Sequence, residues 1–368
     1  MRSGVFRMDE AARVSAETYA KRIARAEPRH GDILYSREGT YFGIAAEVPP
    51  GARVCLGQRM VLLRPDDGTV HFRFLRYWLN SPVMASHTHG QRDGTVAERL
   101  NMPTIRALPV AVPPLSEQRA IASVLGALDD KIELNRRMNE TLEALAQSLF
   151  KSWFVDATQS ALPKGWREST IREIASNIQY GLTQSASAEP VGPRFLRITD
   201  IQGGRVDWGN VPYCKVSPEE HERYRIKPND ILVARTGAST GENIYLPVVP
   251  DAVFASYLVR FQFAEPSMAR LVGAFMRTPV YFEFVAGCIG GSAQPNASAQ
   301  VLAGAQLAVP PPELAKRFAD TVAPLDQRIA ANNEESRTLA ALRDALLPKL
   351  LSGELRVATA EKLVESKL

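Results

Sequence analysis

The sequence has little of what secreted, metal-binding or membrane proteins depend on. Its only cysteines, Cys55, Cys214 and Cys288, are too far apart for a CxxC metal spacing and do not form an even disulfide set. No run of about 18 apolar residues could form a membrane span. The N-terminal stretch also lacks the apolar core of a signal peptide. These absences predict a cytoplasmic protein with reduced cysteines and no membrane partner.

Motifs of catalysis are missing as well. The glycines of Gly237-Ala-Ser-Thr-Gly241 are followed by Glu242, where a phosphate-binding loop needs lysine. The histidines form no HExxH or other tight ligand spacing, and no GxSxG nucleophile elbow occurs. Val112-Pro-Pro-Leu115 lacks the polar first residue of a base-methylation motif. The sequence therefore favours recognition over catalysis and predicts no metal or cofactor site in this chain.

Positive charge is concentrated at the N-terminal end. Of the net charge of +4, residues 1–114 alone contribute an excess of five, with 16 Lys and Arg against 11 Asp and Glu. A basic domain rich in arginine is compatible with a nucleic-acid partner. An excess of this size also occurs on proteins with other partners, so charge is only supporting evidence.

The strongest signal is an internal repeat. Val110-Ala-Val-Pro-Pro114 matches Leu307-Ala-Val-Pro-Pro311 at an offset of 197 residues. A slip of one residue aligns Gly31-Asp-Ile-Leu34 with Asn229-Asp-Ile-Leu232 and brings Arg37 opposite Arg235. This period is too long for a solenoid, so the repeat predicts two copies of one domain, each followed by a helix.

Each copy ends in a segment of about 40 residues whose apolar positions recur in steps of three and four. Such a stripe indicates a helix of roughly 60 Å, and its near-heptad spacing favours two helices that pack on each other along a seam. The predicted seam consists of Ile121, Leu125, Leu128, Ile132, Asn135, Phe318, Val322, Leu325, Ile329 and Asn332. The stripe continues through Leu145, and a polar Asn in a seam often fixes its register. The alternative is two ordinary amphipathic helices, each packing on its own domain.

The remaining segments predict an α+β fold, because short β-like runs alternate with turn residues and shorter helices. Examples are the runs over 230–234 and 254–263 and the helical stretch 268–276. The predicted organisation is a first recognition domain, a spacer helix, a second recognition domain, a second spacer helix and a C-terminal tail, at 1–114, 115–156, 157–311, 312–353 and 354–368.

Three loops carry side chains suited to the edges of DNA bases. Arginine pairs with guanine and phosphate, glutamine and asparagine pair with adenine, and tyrosine can stack or hydrogen-bond. The first loop is 177–184, the second is the Arg-x-Gly turn of each copy, and the third is 290–296, whose counterpart is 93–99. The candidate DNA-binding residues are Arg37, Gln179, Tyr180, Gln184, Arg235, Thr236, Gln294 and Asn296. The alternative interpretation is that these are solvated turns.

With these features the chain resembles the specificity subunits of type I restriction-modification systems over nearly its whole length. The motifs that carry the resemblance are Pro113-Pro-Leu-Ser-Glu-Gln-Arg-Ala-Ile-Ala122, Leu128-Asp-Asp-Lys-Ile-Glu-Leu-Asn135, Gln147-Ser-Leu-Phe-Lys-Ser-Trp-Phe154, Leu162-Pro-Lys-Gly-Trp166 and Leu350-Leu-Ser-Gly-Glu-Leu355. The resemblance implies an α+β fold of two similar target-recognition domains joined by two long antiparallel coiled-coil helices.

The family's function would make this chain a non-catalytic subunit that reads an asymmetric bipartite site in double-stranded DNA. The helices would set the gap between half-sites, at one to two DNA turns, and dock two modification (methyltransferase) subunits, with which restriction (motor-nuclease) subunits assemble. S-adenosylmethionine, ATP and magnesium would belong to those partner subunits.

One departure from the family pattern concerns the first domain. The second has 66 residues from Pro163 to Pro228 inclusive, whereas the first has about 30 before Gly31 and no Leu-Pro-x-Gly-Trp opening. We therefore expect an N-terminally truncated first domain without a counterpart of the Tyr180 loop. Two alternatives to the full function follow: a truncated subunit that serves assembly only, and the recognition half of a nuclease or methyltransferase.

Overall fold

A computed structural model describes residues 4–8, 11–39, 42–91, 99–289 and 296–367. The chain divides into two compact units. Unit 1 comprises residues 1–134 and 335–368, and unit 2 comprises residues 135–334. The α+β class predicted from the sequence is confirmed, since each unit combines a small mixed set of strands with helices. In the described part of the chain, no helix has the length and apolar character needed to cross a membrane.

Unit 1 begins with a small sheet and the helices around it. Its elements are α1 (Ala16–Ile23), β1 (Ile33–Ser36), β2 (Ala45–Glu47), β3 (Met60–Leu63), α2 (Phe72–Leu79), α3 (Pro82–Gly90) and α4 (Met102–Arg106). The sheet order is β2-β1-β3, with β1 antiparallel to both neighbours. All four residues of β1 are buried, so this strand forms the centre of the module.

Two long helices follow the repeated modules. The first, α5 (Leu115–Phe150), continues through a π-helical turn at Lys151–Val155. After α5, unit 2 contains β4 (Arg167–Thr170), α6 (Ile171–Ile174), β5 (Asn177–Tyr180), β6 (Arg194–Leu196), β7 (Ile201–Gln202), β8 (Arg205–Val206), α7 (Pro218–Tyr224), β9 (Asp230–Ala234), β10 (Asn243–Leu246), β11 (Ala252–Phe254), β12 (Leu258–Gln262), α8 (Pro266–Phe275), α9 (Pro279–Cys288), α10 (Ala299–Ala303) and β13 (Gln306–Val309). The chain then continues as α11 (Pro312–Leu351) and α12 (Val357–Glu365).

The two sheets share one register. In unit 1, Ile33 pairs with Glu47 on one side and Leu63 on the other. In unit 2, Ile231 pairs with Tyr245 and Phe261, each 198 residues further along. The larger sheet has the order β10-β9-β12-β5. The repeat is therefore also present in the strand pairing of the two sheets. Their strands match at an offset of 198 residues, which is the offset that the one-residue slip gives in the sequence.

The sheet of unit 2 has an additional strand at one edge. β5 pairs antiparallel with β12, and β4 pairs antiparallel with β13. Among the residues described in unit 1, the sheet ends at β3, and no strand corresponds to β4 or β5. An exposed strand edge leaves main-chain donors and acceptors without partners in the sheet.

The long helices pack antiparallel within each unit. In unit 1, Lys131 pairs with Glu335 at 3.4 Å and Asp129 with Arg343 at 2.8 Å. In unit 2, Asn135 contacts Asn332, and the Phe150 and Phe318 rings lie 5.9 Å apart between centroids. In both units, contacts made by higher residue numbers on α5 involve lower residue numbers on α11, as in an antiparallel pair.

The predicted seam residues lie on the packed sides of these helices. Ile121, Leu125 and Leu128 are buried with Leu339, Leu346 and Leu350 of α11, whereas Phe318 and Val322 are buried with Ala146 and Phe150 of α5. Ile132, Leu325 and Ile329 are half-buried, and Asn135 and Asn332 are buried.

The sequence prediction was wrong at Leu145, which is 48% exposed. Its neighbour Ala146 is buried instead. A straight helix drifts by about 20° per heptad relative to a strict seven-residue repeat. At this point of α5 the buried face has therefore moved from Leu145 to the next residue, Ala146. Leu145 is therefore on the open side of α5.

The segment expected only as a C-terminal tail contains a packed helix. Ala360 and Val364 of α12 are buried in the core of unit 1, together with Leu347 and Leu350 of α11. The end of the chain thus completes the unit in which the chain begins.

Candidate nucleic-acid interface

The same turn follows the central strand in both units. Arg37 donates its main-chain N–H to Arg59 at 2.9 Å and accepts from the N–H of Leu100 at 2.8 Å. Arg235 donates to Tyr257 at 3.0 Å and accepts from Ala297 at 2.8 Å. In both units, therefore, the Arg is held between the strand on one side and the end of an incoming loop on the other.

The glycine of each Arg-x-Gly turn has a backbone conformation that other residues rarely adopt. Gly39 has a φ of 97° and Gly237 a φ of 73°. Both values lie in the left-handed region, where a side chain is unfavourable. The spacing of Arg and Gly is thus fixed by the backbone, which turns immediately after the Arg.

Arg235 lies over an aromatic ring. Its guanidinium carbon is 4.9 Å from the centroid of Tyr180, and its Nε donates to the carbonyl of Ser256 at 3.2 Å. Contact of Arg with an aromatic face is favourable and orients the planar group. Within the described residues, the terminal amino groups of Arg235 make no hydrogen bond.

Tyr180 is anchored at its far end. Its hydroxyl accepts a hydrogen bond from the main-chain N–H of Ala299 at 2.8 Å, while 42% of the residue stays exposed. Since Ala299 begins α10, Tyr180 connects β5 to the segment that follows the third predicted loop. Thr236 and Asn296 are joined by an antiparallel bridge beside it. The structure thus brings together Tyr180, Arg235, Thr236 and Asn296.

In unit 1 the equivalent bridge joins Glu38 to Arg99. Arg37 is half-buried there, and its Nε has no hydrogen-bond partner among the described residues. The backbone arrangement is the same in both units, but Glu38 and Arg99 stand where unit 2 has Thr236 and Asn296. The two units therefore present different hydrogen-bonding groups on one framework.

Gln179 lies apart from this group. Its Oε1 accepts from Nη2 of Arg260, and its Nε2 donates to the carbonyl of Arg223 at 3.4 Å. Adjacent strand residues point to opposite faces, so Tyr180 and Gln179 are separated by the sheet. The amide of Gln179 is engaged within the protein.

Arg260 was not singled out in the sequence, although it is the one charge in the strand Leu258-Val-Arg-Phe-Gln262. It is 4% exposed and contacts the carboxylate of Asp230 at 3.4 Å. Burial lowers the pKa of Arg260 and raises the pKa of Asp230. A charged residue between apolar neighbours in a strand was the available signal, because a buried charge requires a partner.

Gln184 is exposed and lies beyond the strand. Its Oε1 accepts from the N–H of Ser185 at 3.0 Å. The preceding backbone runs closely along β11, where Leu182 donates to Phe254 at 2.8 Å. A Cβ on Gly181 would come 2.3 Å from the carbonyl oxygen of Ala255. Gly181 is therefore required by a close approach of two backbone segments.

Gln294 and most of the third loop in each copy, residues 290–295 and 92–98, lie outside the described residues. No cluster of three or more His, Cys, Asp or Glu side chains suited to a metal occurs in the part of the chain that the structure describes. The arrangement at the strand ends offers cationic, amide, hydroxyl and aromatic groups for binding.

Several motifs quoted from the sequence have structural roles. Gln118, in the Pro-Pro-Leu-Ser-Glu-Gln stretch, is fully buried. It accepts from the N–H of His71 at 2.9 Å and donates to the carbonyls of Thr69 and Pro113 at 3.0 and 2.8 Å. Trp166 packs on Phe154, with 5.9 Å between ring centroids. These residues join each module to a long helix.

Comparison with known proteins gives consistent matches. Residues 12–144 match the family described as the type I restriction modification DNA specificity domain. The type I restriction enzyme MjaIX specificity subunit of Methanocaldococcus jannaschii is 24% identical over 319 residues, which cover 80% of this chain and 71% of the relative. The HindI specificity subunit of Haemophilus influenzae is 22% identical over 421 residues, covering 90% and 88%. The crystal structure of an S subunit from M. genitalium aligns with a TM-score of 0.47 at 17% identity, covering 88% of this chain and 83% of that one.

Proposed function

The chain belongs to the specificity subunits of type I restriction-modification systems, and from that premise we propose that each unit binds duplex DNA at the Arg-x-Gly end of its sheet. The observation that carries the proposal is the repeated turn. Arg37 and Arg235 occupy equivalent positions, each between a strand and an incoming loop. The side chains around them differ, as two readers of different half-sites require.

The chemistry of unit 2 suits base edges in the major groove. The terminal amino groups of Arg235 can donate to O6 and N7 of guanine, and Asn296 can pair with adenine. The ring of Tyr180 packs against the guanidinium of Arg235, and its hydroxyl already accepts a hydrogen bond from the N–H of Ala299. Gln184, Thr236 and Gln294 are proposed as neighbouring contacts, and Arg37 as the equivalent contact of unit 1.

Gln179 supports the site differently. Because Arg260 and Arg223 engage its amide, we propose that its main contribution is to hold β5 in place. Its predicted direct contact with a base would require the release of both interactions.

The chain recognises DNA in this proposal and performs no chemical step. Modification subunits would supply S-adenosylmethionine chemistry, and restriction subunits would use ATP and magnesium.

The test is selection from a library of randomised duplexes by the chain in complex with the modification subunits of its own system. We expect an asymmetric bipartite motif. Arg235→Ala should relax one base position by about 1–3 kcal/mol of discrimination, whereas Arg172→Ala, an exposed arginine of α6, should leave the motif unchanged. Equal enrichment of all duplexes by the wild-type complex would refute sequence recognition.

A second candidate is favoured by one observation. Among its described residues, unit 1 has no strand equivalent to β5 and no residue equivalent to Tyr180. Unit 1 would then serve assembly, and unit 2 alone would read DNA. A motif with only one half-site in the same selection would support this alternative over the bipartite proposal.

A further inference from the structure

One further position recurs beside the Arg-x-Gly turn in both units. Arg59 immediately precedes β3, and Tyr257 immediately precedes β12. The carbonyl of Arg59 accepts from the N–H of Arg37 at 2.9 Å, and the carbonyl of Tyr257 accepts from the N–H of Arg235 at 3.0 Å. The two residues are 198 positions apart, as are the paired strands. Arg59 and Tyr257 are therefore structurally equivalent, although their side chains are chemically different.

Both side chains are open to solvent. The side chain of Arg59 is 71% exposed, and Tyr257 is 55% exposed. Within the described residues, Tyr257 makes no side-chain hydrogen bond or ring contact. Exposed tyrosine is typical of binding surfaces because its ring and hydroxyl offer a large contact with few rotatable bonds. Nothing in the described fold of unit 2 requires the Tyr257 side chain.

Arg59 points toward its own Arg-x-Gly turn. Its Nε lies 3.6 Å from Oε1 of Glu38. Its Nη1 is 3.9 Å from where a Cβ on Gly39 would be. Glu38 in turn forms a main-chain antiparallel β-bridge with Arg99. Arg59 therefore belongs to the same surface as Arg37, and its weak, exposed ion pair with Glu38 costs little to exchange for another acceptor.

We propose that this position is a specificity-determining position of the interface, with Arg59 contacting a guanine edge in one half-site and Tyr257 a thymine methyl in the other. Arg pairs bidentately with O6 and N7 of guanine, and an aromatic ring packs on the thymine methyl. The proposal rests on the DNA-binding function above and adds a further position at which the side chains around the two turns differ.

The experiment uses the same complex with modification subunits and the same randomised duplexes. Tyr257→Ala should reduce the preference at one base position of one half-site by about 5- to 150-fold, which is the discrimination of one good base contact. Arg59→Ala should do so in the other half-site only. Tyr257→Phe keeps the ring and should retain the thymine preference. Tyr257→Arg should change the preferred base at that position to guanine.

Matched controls are Arg106→Ala in unit 1 and Val248→Ala in unit 2, both exposed and outside the turn. They should leave both half-sites unchanged, and unfolding by urea should show that all variants remain folded. An unchanged motif in Tyr257→Ala and Arg59→Ala would overturn the inference while leaving the proposed function intact. Uniformly weaker binding to every duplex would also overturn it, since that is the effect of a phosphate contact. Loss of any motif in the wild type would instead refute the proposed function.

Discussion

Arg270 lies against Asp326 in a two-point contact, with Nε donating to Oδ2 at 2.7 Å and Nη2 to Oδ1 at 3.1 Å. The pair joins α8 to α11, and its side chains are only 10% and 16% exposed. In unit 1, Arg76 of α2 donates to Asp129 of α5 at 2.6 Å. Each module is thus fastened to a long helix by an Arg–Asp pair: the aspartates correspond at the offset of 197 residues, whereas Arg76 lies about one helical turn beyond the counterpart of Arg270.

Removal of one partner should be costly because the other charge stays buried. We expect Asp326→Ala to lower the free energy of unfolding of unit 2 by about 3–5 kcal/mol. Asp320→Ala, at an exposed position on the same helix, should change it by less than about 0.5 kcal/mol. Hydrogen exchange of peptides from α8 and β9 measures the effect, and similar protection in the two variants would contradict it.

Two aspartates in each unit should respond to pH in opposite directions. Burial raises the pKa of Asp129, but the charges of Arg76 and Arg343 and the hydroxyl of Tyr77 outweigh it and lower the pKa overall. The same holds for Asp32, where hydrogen bonds from Arg64 and the N–H of Arg29 lower the pKa against the effect of burial. In Asp230 and Asp326 burial prevails and the pKa is raised.

A lowered pKa contributes stability above the unfolded value of about 4, which is lost as the pH falls through the folded value. A raised pKa contributes stability below the unfolded value, which is lost as the pH rises through the folded value. We therefore expect acidification below pH 5 to weaken β1 of unit 1 before β9 of unit 2, as measured by protection factors over a pH series. Asp129→Asn should flatten the acid slope of unit 1. Earlier loss of protection in β9 would contradict the assignment.

The buried asparagines of the helix pair should behave as one network. Asn332 donates from Nδ2 to Oδ1 of Asn139 at 2.7 Å, and Asn139 donates to Oδ1 of Asn333 at 2.8 Å. Asn332→Leu would leave a buried acceptor of Asn139 unpaired, so we expect a loss of about 1–3 kcal/mol. The double variant Asn139→Leu with Asn332→Leu should cost less than the sum of the single variants.

Urea unfolding of the single and double variants gives this coupling. Gln327→Leu is the control, since Gln327 is exposed on the same helix and should have little effect. Strict additivity of the two asparagine substitutions would show that the network has no energetic coupling.

Two glycines make a matched pair of substitutions. Gly181→Ala would place a Cβ against the carbonyls of Ala255 and Phe254, at 2.3 and 2.4 Å. β5 must then move away from β11, and Tyr180 with it, so we expect loss of binding in one half-site. Gly287→Ala in α9 meets nothing within 4 Å and should stabilise by about 0.5–1 kcal/mol. Thermal unfolding and duplex selection together measure both, and wild-type binding by Gly181→Ala would show that the close approach can relax.

The sequence was informative where a repeat or a period was visible. The slip between the Gly31 and Asn229 segments predicted the shared sheet register, and the apolar steps predicted the long helices. The contacts and exposure of side chains that depend on tertiary packing could not be predicted in the same way. Residues 177–184 were predicted as one loop, but 177–180 form β5, and only the strand pairing shows that Gln179 faces Arg260. The exposure of Leu145 depends on helix drift that accumulates over several turns.

Arg59 and Tyr257 show a further limit. Their equivalence lies in main-chain hydrogen bonds to Arg37 and Arg235, and no pattern of residue types marks it. Sequence alignment matches similar side chains, whereas in a recognition surface the side chains differ between copies while the backbone stays the same.

Unit 2 is one uninterrupted stretch of chain, 135–334, whereas unit 1 takes its residues from both ends. Domains tend to fold in the order in which the ribosome releases them. The core of unit 1 includes Leu346, Ala360 and Val364, which are translated after all of unit 2. Unit 1 therefore begins before unit 2 and is completed after it, and a premature stop codon within α12 would expose the core of unit 1 after unit 2 had already folded.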